Sequence, residues 1–184
     1  MGDGKAWLRD AKRVDAAVYA AIAQTPTPAL DAAMSRLSHT ANYSRIWIGA
    51  AAVLAATGGK RGRQAATSGL LATGVTSAVI NLVVKPIAHR GRPDRVQAAV
   101  PVARHVRMPG SDSFPSGHAA SAFAFATGVA DVDPVAGVPL RTLAALVAYS
   151  RVHTGVHYPG DVLAGALLGT MIARLVSQYR DRHR

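Results

Sequence analysis

The sequence predicts an all-α fold: an integral membrane bundle of five or six hydrophobic helices, with an amphipathic N-terminal helical hairpin ahead of it. Asp, Glu, Lys and Arg are missing from 46–59, 64–84, 117–130, 142–149 and 162–173 and crowd into the segments between. The stretch 64–84 alone meets the length of about 20 residues that a helix needs to cross the hydrocarbon core. The apolar stretches are also rich in Ala and Gly, which let membrane helices approach closely.

From the N-terminus, 14–38 reads as two short helices lying in the membrane interface and parted by the run TPTP at 25–28. Val14, Ala17, Val18, Ala21 and Ile22 share one helical face, and Leu30, Ala33, Met34 and Leu37 share another. A kinked sixth span over these residues is opposed by Asp15, Asp31 and Arg36. Next, 43–59 is apolar except for Arg45 near its start, where the side chain can snorkel to the headgroups. The best span is 64–84. The stretches 116–130, 135–149 and 161–176 are each near the minimum length, and singly each would also suit a soluble Ala-rich bundle. With the first two they make a tightly packed membrane bundle, with Gly165 and Gly169 at small-xxx-small spacing. The expected division is 1–42 for the interfacial helices, 43–177 for the membrane core and 178–184 for a basic tail.

Following the chain through these spans puts 85–115 and 150–161 on one membrane face. The turn at 131–134 falls on the other. That second face carries Lys60, Arg61, Arg63, Arg141, Arg174, Arg180, Arg182 and Arg184, against Arg90, Arg95, Arg104 and Arg107 on the first. The more basic face is expected in the cytoplasm of a plasma-membrane protein, leaving the first face extracytoplasmic. If the N-terminal helices do not cross, the basic segment 5–13 opposes that orientation.

At 184 residues the chain is one domain's worth. The formal net charge of +11 suits nucleic acid, an anionic membrane or an anionic substrate, but aromatics are only 5% and no nucleic-acid module is recognisable, which disfavours the first. There is no cysteine, hence no disulfide frame and no thiolate chemistry. The segment MGDGKAWLRDAKR lacks the apolar run and small-residue cleavage site of a signal peptide.

Three clusters carry chemistry. In KPIAHRGRP, Lys85 offers a point charge and Arg92 a guanidinium that forks onto two phosphate oxygens. Taken alone, both also suit membrane-flanking cations. In PSGH, Ser116 is a natural N-cap, Gly117 lets backbone approach an anion, and His118 stands at the mouth of that site, suited to proton donation. In SRVHTGVHYPGD, Arg151 adds a cation, and Asp161 sits four residues after His157 at a helix start. A carboxylate there can hold one imidazole nitrogen and leave the other as an oriented nucleophile. His153 and His157 also have a spacing found in zinc sites, but Thr154, Gly155 and Pro159 oppose a continuous helix through them and no acidic ligand cluster accompanies them. No metal or other cofactor is expected. His39, His89, His105 and His183 read as surface or loop residues.

In order and spacing the clusters resemble the signature of the type 2 phosphatidic acid phosphatase (PAP2) superfamily, KxxxxxxRP, then PSGH, then SRxxxxxHxxxD. Every signature position is present, from Lys85, Arg92 and Pro93 through Pro115–His118 to Ser150, Arg151, His157 and Asp161. The small size and the run SFPSGHAASAFAFATGVA are similar to the phosphatase part of actinobacterial members. The resemblance implies a metal-independent lipid phosphatase. Lys85, Arg92, Ser116, Gly117 and Arg151 would bind phosphate. His157 would attack to form a phosphohistidine, Asp161 would hold its tautomer, and His118 would protonate the leaving group. Implied substrates are phosphatidic acid, phosphatidylglycerophosphate, a polyprenyl diphosphate or a polyprenyl-linked sugar phosphate, met at the bilayer. The rivals are a vanadate-dependent haloperoxidase-like enzyme and a non-catalytic lipid transporter of the same fold. Whether the chain forms a homo-oligomer is left open. On charge alone, Arg95, Arg104, His105 and Arg107 are expected as further anion contacts in a headgroup pocket.

Overall fold

A computed structural model describes residues 3–183. Residues 1, 2 and 184 lie outside the described residues, and with them Arg184 of the basic tail. The described residues form seven helices and no strand, with the continuous run 59–88 counted as one. They are α1 (Asp3–Gln24), α2 (Pro28–Thr40), α3 (Arg45–Thr57), α4 (Gly59–Ala88), α5 (Gly117–Ala130), α6 (Pro134–His153) and α7 (Pro159–Arg182).

The hairpin breaks where TPTP requires it. Pro28 opens α2, a position where its missing N–H costs nothing and its fixed φ suits the helix. Helix α1 starts well before residue 14, because 5–24 contains neither Gly nor Pro and is built of Ala, Lys, Arg and other good helix formers. Its charged first half belongs to the helix.

Helix α5 is the hub, packed against α4, α6 and α7. Ten of its 14 residues are buried, so it meets neighbouring helices rather than lipid. Trp47 of α3 closes one side against Phe125, with ring centroids 5.5 Å apart. The small-xxx-small expectation holds. Gly165 lies against the Ser116 carbonyl and Gly169 against the Ala120 carbonyl, and a methyl group at either would collide with backbone. Among the described residues, three helices are long and apolar enough to cross a membrane: Gly59–Ala88, Pro134–His153 and Pro159–Arg182. At about 1.5 Å per residue, the 13 residues of α3 and 14 of α5 fall short of a core roughly 30 Å thick. The five apolar stretches are all helical, but two of them complete the bundle without the length of a full span.

The end of α4, the start of α5, the end of α6 and the start of α7 meet at one end of the bundle. The hairpin lies against that same end. Arg104 fastens it there, and its expected role as an anion contact is overturned. Its side chain is fully buried, and Nε donates to Asp31 Oδ1 at 2.8 Å. The other guanidinium nitrogens donate to the carbonyls of Ile22 (3.0 Å), Ala23 (3.3 Å) and Thr25 (2.7 Å) and to the Thr27 hydroxyl (2.9 Å). These are carbonyls that the end of α1 leaves open, so Arg104 caps that helix and holds the corner. Asp31 also takes His153 Nε2 at 3.0 Å, which turns that ring toward the hairpin, away from any shared site with His157.

Candidate active site

The three clusters converge on one cavity of about 230 Å³. Lys85, Arg92, Gly117, His118 and His157 line it. Lys85 is delivered by an unusual end to α4: a π-helical turn over Ile80–Val84, then one α-turn closed by His89 in the left-handed region at φ 37°. Such wide turns occur frequently at functional sites. With Ser77 and Asn81, Lys85 forms a polar strip of α4 along the cavity wall. Its Nζ donates to Ser111 Oγ at 3.0 Å. Arg92 is held by backbone, donating to the carbonyls of Ser111 (2.8 Å), Val156 (2.8 Å) and Asp112 (3.3 Å).

The geometry around His157 fixes its tautomer. Arg92 Nη1 lies 3.3 Å from His157 Nε2. A guanidinium can only donate, so Nε2 carries the lone pair and Nδ1 carries the proton. Nδ1 faces Ser113 Oγ at 3.4 Å and Asp161 Oδ2 at 3.5 Å. The direct imidazole–carboxylate contact is thus longer than the usual 2.7–3.2 Å, and the Ser113 hydroxyl bridges it while donating to Asp161 Oδ2. Asp161 is fully buried and accepts in addition from the Tyr158 N–H at 2.9 Å and from Arg90 Nη1 at 2.8 Å. The unprotonated nitrogen of a 2% exposed imidazole therefore points at a cation that lines the cavity.

His118 sits in the first turn of α5, with Nε2 2.9 Å from Asn42 Oδ1. Asn42 opens a 3-10 turn in which Tyr43 (φ 56°) and Ser44 (φ 58°) both adopt left-handed backbone, strained for side chains other than Gly. Both residues line the cavity mouth. Ser116 caps α5, its hydroxyl accepting from the Ala119 N–H at 3.4 Å, and does not line the cavity. Arg151 lies behind the cavity, 1% exposed; Nη1 donates to the Ser38 carbonyl at 3.3 Å and to the Ser38 hydroxyl at 2.5 Å, while Nε is unpaired. Arg95, His105 and Arg107 are absent from the lining. Arg95 is committed to the carbonyls of Val106 (2.8 Å) and Gly155 (3.4 Å), so the loop contributes Arg92, Pro109 and Ser111 instead.

Sequence reasoning missed Ser38, Asn42, Arg90, Ser111 and Ser113. Arg90 stands two residues before Arg92 but reads as one more flanking cation. Ser111 and Ser113 lie just ahead of PSGH, where a polar run reads as an ordinary loop.

Burial, opposed by the Asp161 interaction and reinforced by Arg92 and Arg151, pushes His157 down to about 4 from the ordinary 6.5. The nucleophile is therefore neutral above about pH 4 and is lost as pH falls through that value. In kcat/KM, corrected for ionisation of the substrate phosphate, the acid limb assigned to His157 is expected near pH 4. Titration of the His157 imidazole near pH 6.5, followed by NMR in the resting enzyme, would contradict this geometry.

A family model described as the PAP2 superfamily matches residues 66–184. The chain is 32% identical over 169 residues to a decaprenylphosphoryl-5-phosphoribose phosphatase of Mycobacterium tuberculosis, with 90% of each chain covered. It is 34% identical over 163 residues to the protein of the same name from Mycolicibacterium smegmatis, covering 86% of this chain and 84% of that one. The fold is similar to the crystal structure of a transmembrane PAP2 type phosphatidylglycerolphosphate phosphatase from Bacillus subtilis. The TM-score is 0.70 at 25% identity, covering 95% of this chain and 88% of the other.

Proposed function

The chain belongs to the PAP2 superfamily and is a membrane lipid phosphatase, and on that premise we propose that it removes the terminal phosphate of a polyprenyl-linked sugar phosphate through a phosphohistidine on His157. The observation that carries the chemistry is the lone pair of His157 Nε2, aimed at Arg92 in the cavity that also holds Lys85 and His118. Lys85 and Arg92, with the Gly117 backbone, bind the phosphate and the charge that grows on its equatorial oxygens. Arg151, one layer behind, adds its field. His157 Nε2 attacks phosphorus, the bond to the sugar oxygen breaks, and His118 gives that oxygen a proton. Water then attacks the phosphohistidine, His118 takes its proton, and inorganic phosphate and neutral His157 are left. Asp161 stabilises the positive charge that His157 carries in between. Ser116 acts through the helix cap that presents Gly117 and His118. Charge compensation by three arginine and lysine side chains does the work that Mg²⁺ does in nucleotide enzymes.

The substrate class rests on two supports. The relatives that match along nearly the whole chain carry the name of a decaprenyl-linked phosphoribose phosphatase. The cavity wall beside the cations is polar, with Ser77, Asn81 and Ser121, which suits hydroxyls adjoining the phosphate. A polar side chain at this depth in a membrane helix is costly unless it serves a site. The site is assigned to the extracytoplasmic face. Arg90 and Arg104 at the site end are paired with carboxylates, while Lys60, Arg63, Arg141, Arg174 and Arg180 at the other end are not in ion pairs among the described residues. Arg9, Lys12, Arg36, Arg95 and Arg107 at the site end, also outside ion pairs among the described residues, weigh on the opposite side of that balance. Residues 43–177 are assigned to the catalytic bundle and the hairpin before them to the interface, and the basic segment from 178 continues α7 as far as Arg182.

The test is phosphate release from four detergent-dispersed substrates: farnesylphosphoryl ribose 5-phosphate, farnesyl diphosphate, phosphatidylglycerophosphate and phosphatidic acid. The sugar phosphate is expected to give the highest kcat/KM, with activity unchanged in excess EDTA. A preference for any of the others would overturn the substrate class. Loss of activity in EDTA would overturn the metal-free mechanism.

A further inference from the structure

Asp161, which orients the nucleophile, is a buried carboxylate whose two oxygens are divided between two sets of partners. Oδ2 serves Ser113, the Tyr158 N–H and the His157 side. Oδ1 serves Arg90 alone, at 2.8 Å. The other fork of Arg90 reaches Asp15 Oδ2 of α1 at 2.6 Å. Asp15 Oδ1 in turn accepts the Gly160 N–H at 2.7 Å, one of the open amides at the start of α7, the helix that carries Asp161. Gly160 permits this approach, since a Cβ there would stand 3.0 Å from the Asp15 carboxylate. The Arg90 guanidinium also lies 4.2 Å over the Tyr158 ring, which packs edge-on against Tyr19 of α1 at 5.4 Å. The result is a closed loop from α1 through Arg90 to the carboxylate beneath the nucleophile and back through the α7 terminus. Asp15 and Arg90 are 12% and 23% exposed, so the chain of charges is largely shielded from water.

We propose that Arg90 and Asp15 are positioning residues for the His157–Asp161 pair, so that the docked N-terminal helix is part of the catalytic machinery. Asp15 lies outside the stretch that matches the family model, which begins at residue 66. Removing the Arg90 fork frees Asp161 to rotate, and its oxygens then leave the Ser113–His157 side. The cations that bind phosphate are untouched by this change. The proposal rests on His157 being the nucleophile, and the variant H157A separates the two. If H157A keeps turnover, the nucleophile itself is misassigned. If H157A is inactive while D15N and R90Q are normal, only the positioning role fails.

The experiment measures kcat, KM and competitive inhibition by inorganic phosphate for D15N, R90Q, R90K and D15N/R90Q, on the member of the four-substrate panel with the highest kcat/KM. Loss of an outer-shell orienting group at metal sites typically costs about 10- to 100-fold, and R90Q is expected to lose kcat on that scale. KM and phosphate affinity should stay near wild type. R90K should recover part of the loss, because Lys keeps the charge but cannot fork to two carboxylates. D15N should lose less, and D15N/R90Q should be no worse than R90Q alone. If R90Q is not recovered folded, R90K decides: reduced kcat at unchanged phosphate affinity supports the proposal, and wild-type kcat overturns it. Wild-type kcat in folded D15N and R90Q, or losses of kcat matched by equal losses of phosphate affinity, also overturn it.

Discussion

Replacing His157 by Ala is expected to remove turnover almost completely while inorganic phosphate still binds. Loss of a covalent nucleophile in a hydrolase costs roughly 10⁴- to 10⁶-fold, and the other imidazole of the cavity, His118, is engaged with Asn42. Arg92 donates to the Val156 and Ser111 carbonyls as well as facing His157, so its position survives the truncation. Lys85 keeps its contact with Ser111. The phosphate-binding half of the site should therefore outlast the chemical half. Because His157 is fully packed, H157Q serves as a second variant that fills the space without an imidazole. Turnover above about a hundredth of wild type in either variant contradicts the nucleophile assignment.

His118→Ala is expected to lose about 10²- to 10⁴-fold in kcat on an alkyl or sugar phosphate, the usual range for a general acid. The loss should depend on the leaving group. With p-nitrophenyl phosphate, whose phenolate departs without a proton, the first step in H118A should approach the wild-type rate. The second step still needs His118 to take a proton from water, so the variant should give a burst of p-nitrophenolate followed by slow release of phosphate. Burst amplitude and steady-state rate, read by stopped-flow absorbance, check this. Equal losses for both leaving groups, with no burst, would show that His118 does not protonate the leaving oxygen.

Much of this site is legible in the amino-acid sequence, for a physical reason. A polytopic bundle returns to the same face at every second helix end, so clusters placed at alternate ends must meet. Lys85, Arg92, His118 and His157 follow that rule and share one cavity. Gly165 and Gly169 are legible in the same way, because close packing against α5 leaves room for nothing larger. The break of the hairpin is carried by two prolines. What cannot be read is what holds the reacting groups in place. Arg90 and Asp15 are 75 residues apart, Ser38 and Arg151 113 apart, and Asn42 and His118 76 apart. No local period links such pairs. Arg104 shows the opposite error: its charge suggests a ligand for phosphate, but Asp31 and four groups at the hairpin corner already satisfy it. Charge in a sequence gives the sign of a side chain and not its partner.

The hairpin changes in meaning as a result. By amphipathicity it is an interfacial anchor. In the folded chain, its residues and the turn after it reach Arg151 through Ser38, His118 through Asn42 and Asp161 through Asp15 and Arg90. Each contact ends on a residue with a proposed role in the reaction, so a segment that carries none of the signature positions braces three of them, while Lys85 and Arg92 are held by the loop before α5 and by Val156.

Trapping the phosphorylated enzyme tests the covalent mechanism at its centre. Wild type and H118A would be mixed with substrate carrying a radiolabelled terminal phosphate, quenched in alkali within one turnover and digested for mass spectrometry. Label is expected on His157, stable in alkali and lost in acid, and it should be more abundant in H118A when the donor is labelled p-nitrophenyl phosphate, whose leaving group needs no proton. Label on another residue, or a full turnover of phosphate released with none ever bound to the protein, would contradict a phosphohistidine at His157.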